Sequence, residues 1–213
     1  MQKLLKSLVI GTALLLVGGC DYLDYDETSG RTKEEAYGYF DNIKSLVSYV
    51  YAQLPQDLGT VNGAMMESAT DNSVYTWEDN KIYYLNNATW SPLRIVDDAW
   101  DLWKGIRAAN SFLENFDIEV LKRFEFESDY ENWMKSATLF PYEVRLLRAF
   151  YFFELAKRYG DIPLLTHTLD DYKELNLIKK TSFDEIIDFV AKECSEIALK
   201  LPLSYKDYNG DTG

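Results

Sequence analysis

Histidine and cysteine are almost missing from this chain: its 213 residues hold one histidine, His167, and two cysteines, Cys20 and Cys194. His167 stands alone beside a turn and reads as a surface residue rather than a catalytic base. No HExxH, GxSxG, GxGxxG, CxxC or P-loop string occurs. Asp207 to Asp211 offer oxygen ligands, but without the length or terminal glutamate of a calcium loop, so neither metal nor cofactor is expected. Basic residues are also few, 22 against 35 acidic, giving a net charge of −13. Nucleic acid is therefore excluded as a partner, because phosphate backbones demand clustered Lys and Arg. Unaided adsorption to anionic lipid is excluded for the same reason. Among so many acids, a pair such as Asp97 and Asp98 carries no catalytic signal. Long apolar runs are lacking too. Leu8 to Val17 falls short of the roughly 20 residues that span a bilayer.

That short run has its own logic. Lys3 and Lys6 precede it, and Gly18, Gly19 and Cys20 follow. A positive start, an apolar stretch and small residues make a secretory signal. Val17-Gly18-Gly19-Cys20 resembles the lipobox of bacterial lipoproteins, which implies cleavage before Cys20 and lipidation of that cysteine. Loss of residues 1–19 would remove two lysines and no acid, so lipid rather than charge must hold the protein to a membrane. Cys194 is then left without a disulfide partner and is expected to pack as a small apolar residue in a helix. Residues 20–31 are acidic, lack periodicity and read as a tether.

From residue 32 onward the periodicity is helical. Thr32 and Glu35 form a capping-box pattern, and Ala36, Phe40, Ile43, Val47, Val50 and Leu54 predict one amphipathic helix closed by Pro55. Ser91 and Pro92 predict the start of a second, with Leu93, Val96, Trp100, Trp103, Ile106, Asn110 and Leu113 on one face. That spacing assigns Trp100 and Trp103 to the core. A shorter helix is expected between Ser128 and Phe140. Pro141 is expected to open a separate helix, apolar on two faces: Val144, Leu147, Tyr151 and Leu155, against Leu146, Phe150 and Phe153. Such a helix should be buried on most sides and should end at Gly160, before Pro163. A fourth begins at the capping box Ser182–Glu185 and runs through Ile186, Ile187, Val190, Cys194 and Ile197 toward Pro202. Arg145 and Arg148 flank the third helix and should be snorkelling or paired with a carboxylate such as Glu143. The expected class is all-α, with residues 32–213 as one helical domain. The turn-rich loop 203–213 lacks a closing element, as though the chain were cut short.

Residues 145–166, RLLRAFYFFELAKRYGDIPLLT, resemble the SusD/RagB family at the spacing of its Leu-Arg-Ala, aromatic cluster and Tyr-Gly-Asp-x-Pro. The acidic segment after Cys20, the Trp100-x-x-Trp103-x-x-Ile106-x-x-x-Asn110 helix and the Tyr205–Gly213 loop add to the likeness. Pro141-Tyr142 departs from it, in place of small residues. The resemblance implies tetratricopeptide-like helix pairs and an outer-membrane lipoprotein facing the cell exterior. It further implies that the protein binds oligosaccharide without catalysis and delivers it to a TonB-dependent transporter. Members continue for roughly as long again, and their binding surfaces also draw on that further half.

Sugars offer hydroxyls and weakly apolar C–H faces, so their sites pair an exposed aromatic plane with amide, carboxylate or guanidinium groups. The irregular stretch 56–90 supplies both. Asp71, Asn72, Tyr75 and Trp77 lie together, and Trp90 and Arg94 follow, making these six the candidate ligand residues. Long irregular connections are usually functional or else conceal short elements. Two alternatives remain open at this point: a helical scaffold that binds protein, and a surface glycoside hydrolase.

Overall fold

A computed structural model describes residues 32–55, 60–169 and 172–204. The leader, Cys20, the tether and the 205–213 loop lie outside those residues. The chain divides into two units, Met1–Glu35 and Ala36–Gly213. In the first, the Thr32 amide donates to the Glu35 carboxylate at 3.0 Å and the Glu35 amide to the Thr32 hydroxyl at 3.2 Å. This is the reciprocal cap the sequence predicts.

The predicted first helix is two: α1, Lys33–Tyr37, and α2, Phe40–Tyr51. Tyr39 is extended between them. Its ring packs edge-on against Phe124 and Trp133, and Arg123 donates to the Gly38 carbonyl. Tertiary contacts therefore break a run that periodicity alone would continue. Buried Phe40, Ile43, Val47 and Val50 form the inner face of α2, as expected.

After a short hairpin, β1 (Thr60–Val61) and β2 (Ala64–Met65), and a one-turn helix α3 (Tyr83–Asn86), the next long helix, α4, covers only Leu102–Asn115. Pro92 starts no helix. Residues 91–94 fold into a tight turn, with the Ser91 amide donating to the Arg94 carbonyl at 3.4 Å and the Arg94 amide to that of Ser91 at 2.8 Å. Leu93, predicted on the buried face, is 96% exposed. Trp100 is 59% exposed against Tyr159 (ring centroids 5.4 Å), whereas Trp103 packs against the core. A turn of 3-10 helix, Ile118–Phe124, follows α4 and buries Leu121.

The largest departure is α5, a 30-residue helix from Tyr130 to Tyr159 with Pro141 inside it. Proline at 141 has no N–H to give the carbonyl of residue 137, and such a loss ordinarily breaks a helix. Here Ala137, Phe140 and Val144 on either side of the missing bond are all buried. Burial of that stripe offsets the lost rung. Val144, Leu147, Tyr151 and Leu155 are buried as predicted, together with Phe152. Leu146 and Phe153, on the other predicted face, remain more than a third exposed. The helix ends at Gly160, whose φ of 68° is a conformation suited to glycine. A one-turn helix, α6 (Tyr172–Leu175), precedes α7, Phe183–Ile197, which begins at the predicted Ser182–Glu185 capping box. Cys194 is exposed on α7 rather than packed, because Ile186, Glu193 and Ile197 take the inward positions.

Helix α5 is the shared wall, packing against α2, α4 and α7. Tyr151 sits at its centre, fully buried, with its hydroxyl donating to the Val50 carbonyl; burial pushes its pKa up to about 12. Arg145 and Arg148 fasten α7 to the wall, but not through Glu143. Arg145 reaches Glu193 at 2.7 Å and Glu196 at 2.6 Å, and Arg148 lies 3.5 Å from Glu193. Arg148 also donates to Asn110 Oδ1 at 2.9 Å, and Asn110 Nδ2 donates to the carbonyls of Leu165 (2.9 Å) and His167 (3.0 Å). The Arg, Asn and the segment after Pro163 thus form one buried polar joint, which is why these residue types occur at this spacing.

Among the described residues, no helix is long and apolar enough to cross a membrane. Among the described residues the architecture is all-α apart from the two-residue hairpin strands.

Candidate functional site

The irregular stretch conceals short elements. Asn62 and Gly63, both at positive φ (52° and 80°), close the hairpin between β1 and β2, as a primed turn requires. A small second core forms around Val61, Ala64 and Ile82. Asn80, 8% exposed, binds it together: its Nδ2 donates to the Asn62 carbonyl at 2.9 Å and its Oδ1 accepts from the Ile82 amide at 3.0 Å.

Helix α3 organises four of the six candidate residues. The Tyr83 hydroxyl donates to the Tyr75 carbonyl at 2.6 Å, and the Tyr75 ring meets Trp77 edge-on at 5.9 Å. Tyr84, the next residue, holds the second pair. Its carbonyl accepts from the Trp90 amide at 3.0 Å, and the Arg94 guanidinium lies over its ring at 5.7 Å. Consecutive side chains on a helix diverge by about 100°, so Tyr83 and Tyr84 support two separate aromatic loci. Trp77 is 69% and Trp90 63% exposed; each offers a ring face to solvent. Asp71 and Asn72 lie apart, on the turn after the 3-10 helix Met66–Ala69. Asn72 Nδ2 donates to Glu67 at 2.7 Å and Asp71 is exposed. Among the described residues no hydrogen bond joins either to Trp77.

The segment carrying Trp90 and Arg94 is fixed at its far end by α5. Arg158 pairs with Asp97 at 2.6 Å, and the Tyr159 hydroxyl donates to the Asp98 carbonyl. Ala88 and Ala99, at φ 52° and 46°, flank it in a backbone region that alanine rarely adopts.

Among the described residues, cavities also lie elsewhere. One, of about 370 Å³, lies between α2 and α4, lined by Leu46, Tyr49, Lys104 and Arg107 among others. Another, of about 450 Å³, lies where α2 faces α5. Sequence reading did not find it. Its signal was the polar positions Lys44, Ser48 and Tyr51, set beside the apolar stripe of α2. Among the described residues, no group of histidines, cysteines and carboxylates could hold a metal ion.

No protein-family model matches the chain, and no curated protein does. Solved structures do. A SusD-like protein from Bacteroides fragilis is 26% identical over 80% of this chain and 31% of its own, with a TM-score of 0.59. A SusD-like carbohydrate binding protein from the same species is 22% identical over 78% of this chain and 32% of its own, with a TM-score of 0.54. A SusD superfamily protein from Bacteroides vulgatus matches at 20% identity over 80% and 36%, with a TM-score of 0.55. The chain thus spans about a third of the length of these proteins, less than the half that the sequence resemblance implies. Together these matches show that the chain is SusD-like in its all-α fold.

Proposed function

We propose that this protein binds glycans at a cell surface and passes them to a TonB-dependent outer-membrane transporter, without catalysing a reaction. The observation that carries the reading is the pair of exposed indoles, Trp77 and Trp90, each fixed from α3 on a SusD-like scaffold. Tyr75 and Arg94 complete the two loci; Asp71 and Asn72, on the separate turn after the 3-10 helix Met66–Ala69, stand outside them. An indole plane covers the C–H face of a sugar, and a guanidinium supplies paired hydrogen-bond donors. The SusD-like carbohydrate binding protein among the matched structures supports the same reading.

In this proposal residues 1–19 are a signal peptide, Cys20 carries lipid, 20–31 is the tether and 32–213 belongs to the helical domain. The anchor sits in the outer membrane with the protein facing out.

Retention of the protein in native gels containing polysaccharide tests the binding. Trp77→Ala or Trp90→Ala should each weaken retention about tenfold, equivalent to roughly 1.4 kcal/mol, with the far-ultraviolet circular dichroism unchanged because both rings are exposed. Full retention by the double variant would end the proposal for this surface. For the anchor, Cys20→Ala should abolish surface display while leaving the fold intact. Protease resistance of the wild type on intact cells would count against the outward orientation.

A further inference from the structure

The cavity between α2 and α4 is cationic in an acidic chain. Leu46 and Tyr49 of α2 line it together with Lys104 and Arg107 of α4. Each pair is three residues apart and so shares one side of its helix. Tyr37, at the end of α1, borders the cavity and donates to the Ser111 carbonyl at 3.1 Å. No acid lines it, although the chain holds 35 acidic residues against 22 basic. Its volume, about 370 Å³, lies within the roughly 300–1,000 Å³ of small-molecule sites.

Charge and shape together decide what fits. Lys104 pairs with Asp101 at 2.7 Å, both side chains being well exposed, and a pair of that kind contributes little and yields readily. Arg107 has no ion-pair partner among the described residues. Two cations and one acid thus leave a single positive charge, which a monoanion balances. The planar guanidinium matches a carboxylate through two parallel hydrogen bonds. The facing wall is apolar and open to a ligand: Leu46 is half-buried, and the Tyr49 ring is 53% exposed. That ring stacks on no other among the described residues. An inorganic anion would leave this wall uncovered. A wholly apolar ligand would strip water from Arg107 and give it no acceptor in return.

We infer that this cavity binds a small aromatic monocarboxylate, its carboxylate held by Arg107 with Lys104 beside it and its ring laid against Tyr49 and Leu46. The site shares no residue with the Trp77 and Trp90 loci and does not depend on them.

The test titrates the whole chain with benzoate, phenylacetate and hydrocinnamate, each beside its neutral amide, and with inorganic phosphate, all followed by ligand-observed NMR. At least one acid should bind, and its amide, which keeps the ring and lacks the charge, should bind about tenfold more weakly. Arg107→Gln should weaken the acid about tenfold, and Arg107→Lys, which keeps the charge without the planar fork, about fivefold. Tyr49→Ala should weaken it about fivefold through loss of the ring contact. Asp101→Asn, which releases Lys104, should tighten it about twofold. Positions 49, 101 and 107 are exposed, and Asp101 makes no side-chain cap to α4, so far-ultraviolet circular dichroism should not change. Four results would each overturn the proposal: no binding by any of the three acids, an amide that binds as well as its acid, affinity within twofold after Arg107→Gln or Tyr49→Ala, or phosphate bound as tightly as the best acid. The last would mean an anion site that makes no use of the apolar wall.

Discussion

Gly105→Ala should destabilise the protein by about 2 kcal/mol, even though alanine is the better helix former by about 1 kcal/mol. Gly105 lies in α4, where α2, α4 and α5 meet. A Cβ added there would stand 2.6 Å from Tyr151 Cε2, 2.8 Å from Cδ2 and 3.1 Å from Gln53 Cβ. The ring cannot swing aside. It is fully buried, and its hydroxyl is held by the Val50 carbonyl, so the helices must separate and part of the core contact is lost. Urea unfolding measures the loss. In a Tyr151→Leu background the ring is gone, and the further cost of Gly105→Ala should fall close to zero. Equal costs in the two backgrounds would show that the ring is not the obstacle, since coupling of this kind is what a double-mutant cycle detects.

The second large effect concerns Glu193, 7% exposed and shared by Arg145 and Arg148. Glu193→Gln should cost about 3 kcal/mol at pH 7, the order expected when one member of a buried ionic cluster is neutralised. Arg148 would keep its bond to Asn110 but lose its nearest carboxylate. Glu196→Gln makes the contrast: its side chain is 48% exposed, and its loss should cost under about 1 kcal/mol. The pH dependence has a definite sign. Burial pulls the Glu193 pKa up, but the hydrogen bond from Arg145 and the charges of both arginines outweigh it, and the net shift is downward. A depressed carboxylate stabilises the fold above its ordinary value of 4.5. That contribution disappears as pH falls through the lowered value. The gap between wild type and Glu193→Gln should therefore be constant near neutrality and close below about pH 4.5. A gap that widened in acid would contradict this account.

The parts of the fold legible in the sequence are those fixed by neighbours in the chain. The caps Thr32–Glu35 and Ser182–Glu185, and the stop at Gly160, involve partners within a few residues, and all three form as read. The misreadings share one cause. Pro141 looks the same from the sequence whether it opens a helix or sits inside one; burial of Phe140 and Val144 by other elements decides the matter. Tyr39 leaves the helical path for Phe124 and Trp133, both more than eighty residues away. The 3.6-residue period through Leu93 and Trp100 was genuine as a pattern, but the turn at Ser91–Arg94 and the grip of α5 on residues 97 and 98 hold that segment in another shape. For the candidate site, composition pointed to exposed aromatics at Trp77 and Trp90, and both are exposed. What composition lacked was the support beneath them. Tyr83 and Tyr84 read only as two more of the 16 tyrosines, and a hydrogen bond to a carbonyl eight residues back leaves no trace in periodicity.

The left-handed residues Ala88 and Ala99 bear on how tightly anything can be held between them. Each costs of order 1 kcal/mol in backbone conformation, and the rest of the fold meets that cost during folding. A stretch constrained this way has few other shapes to visit. The Ser91–Arg94 turn and the Arg158–Asp97 pair hold the backbone between them, so what a partner must still order is the exposed side chains of Trp90 and Arg94 rather than the chain that carries them.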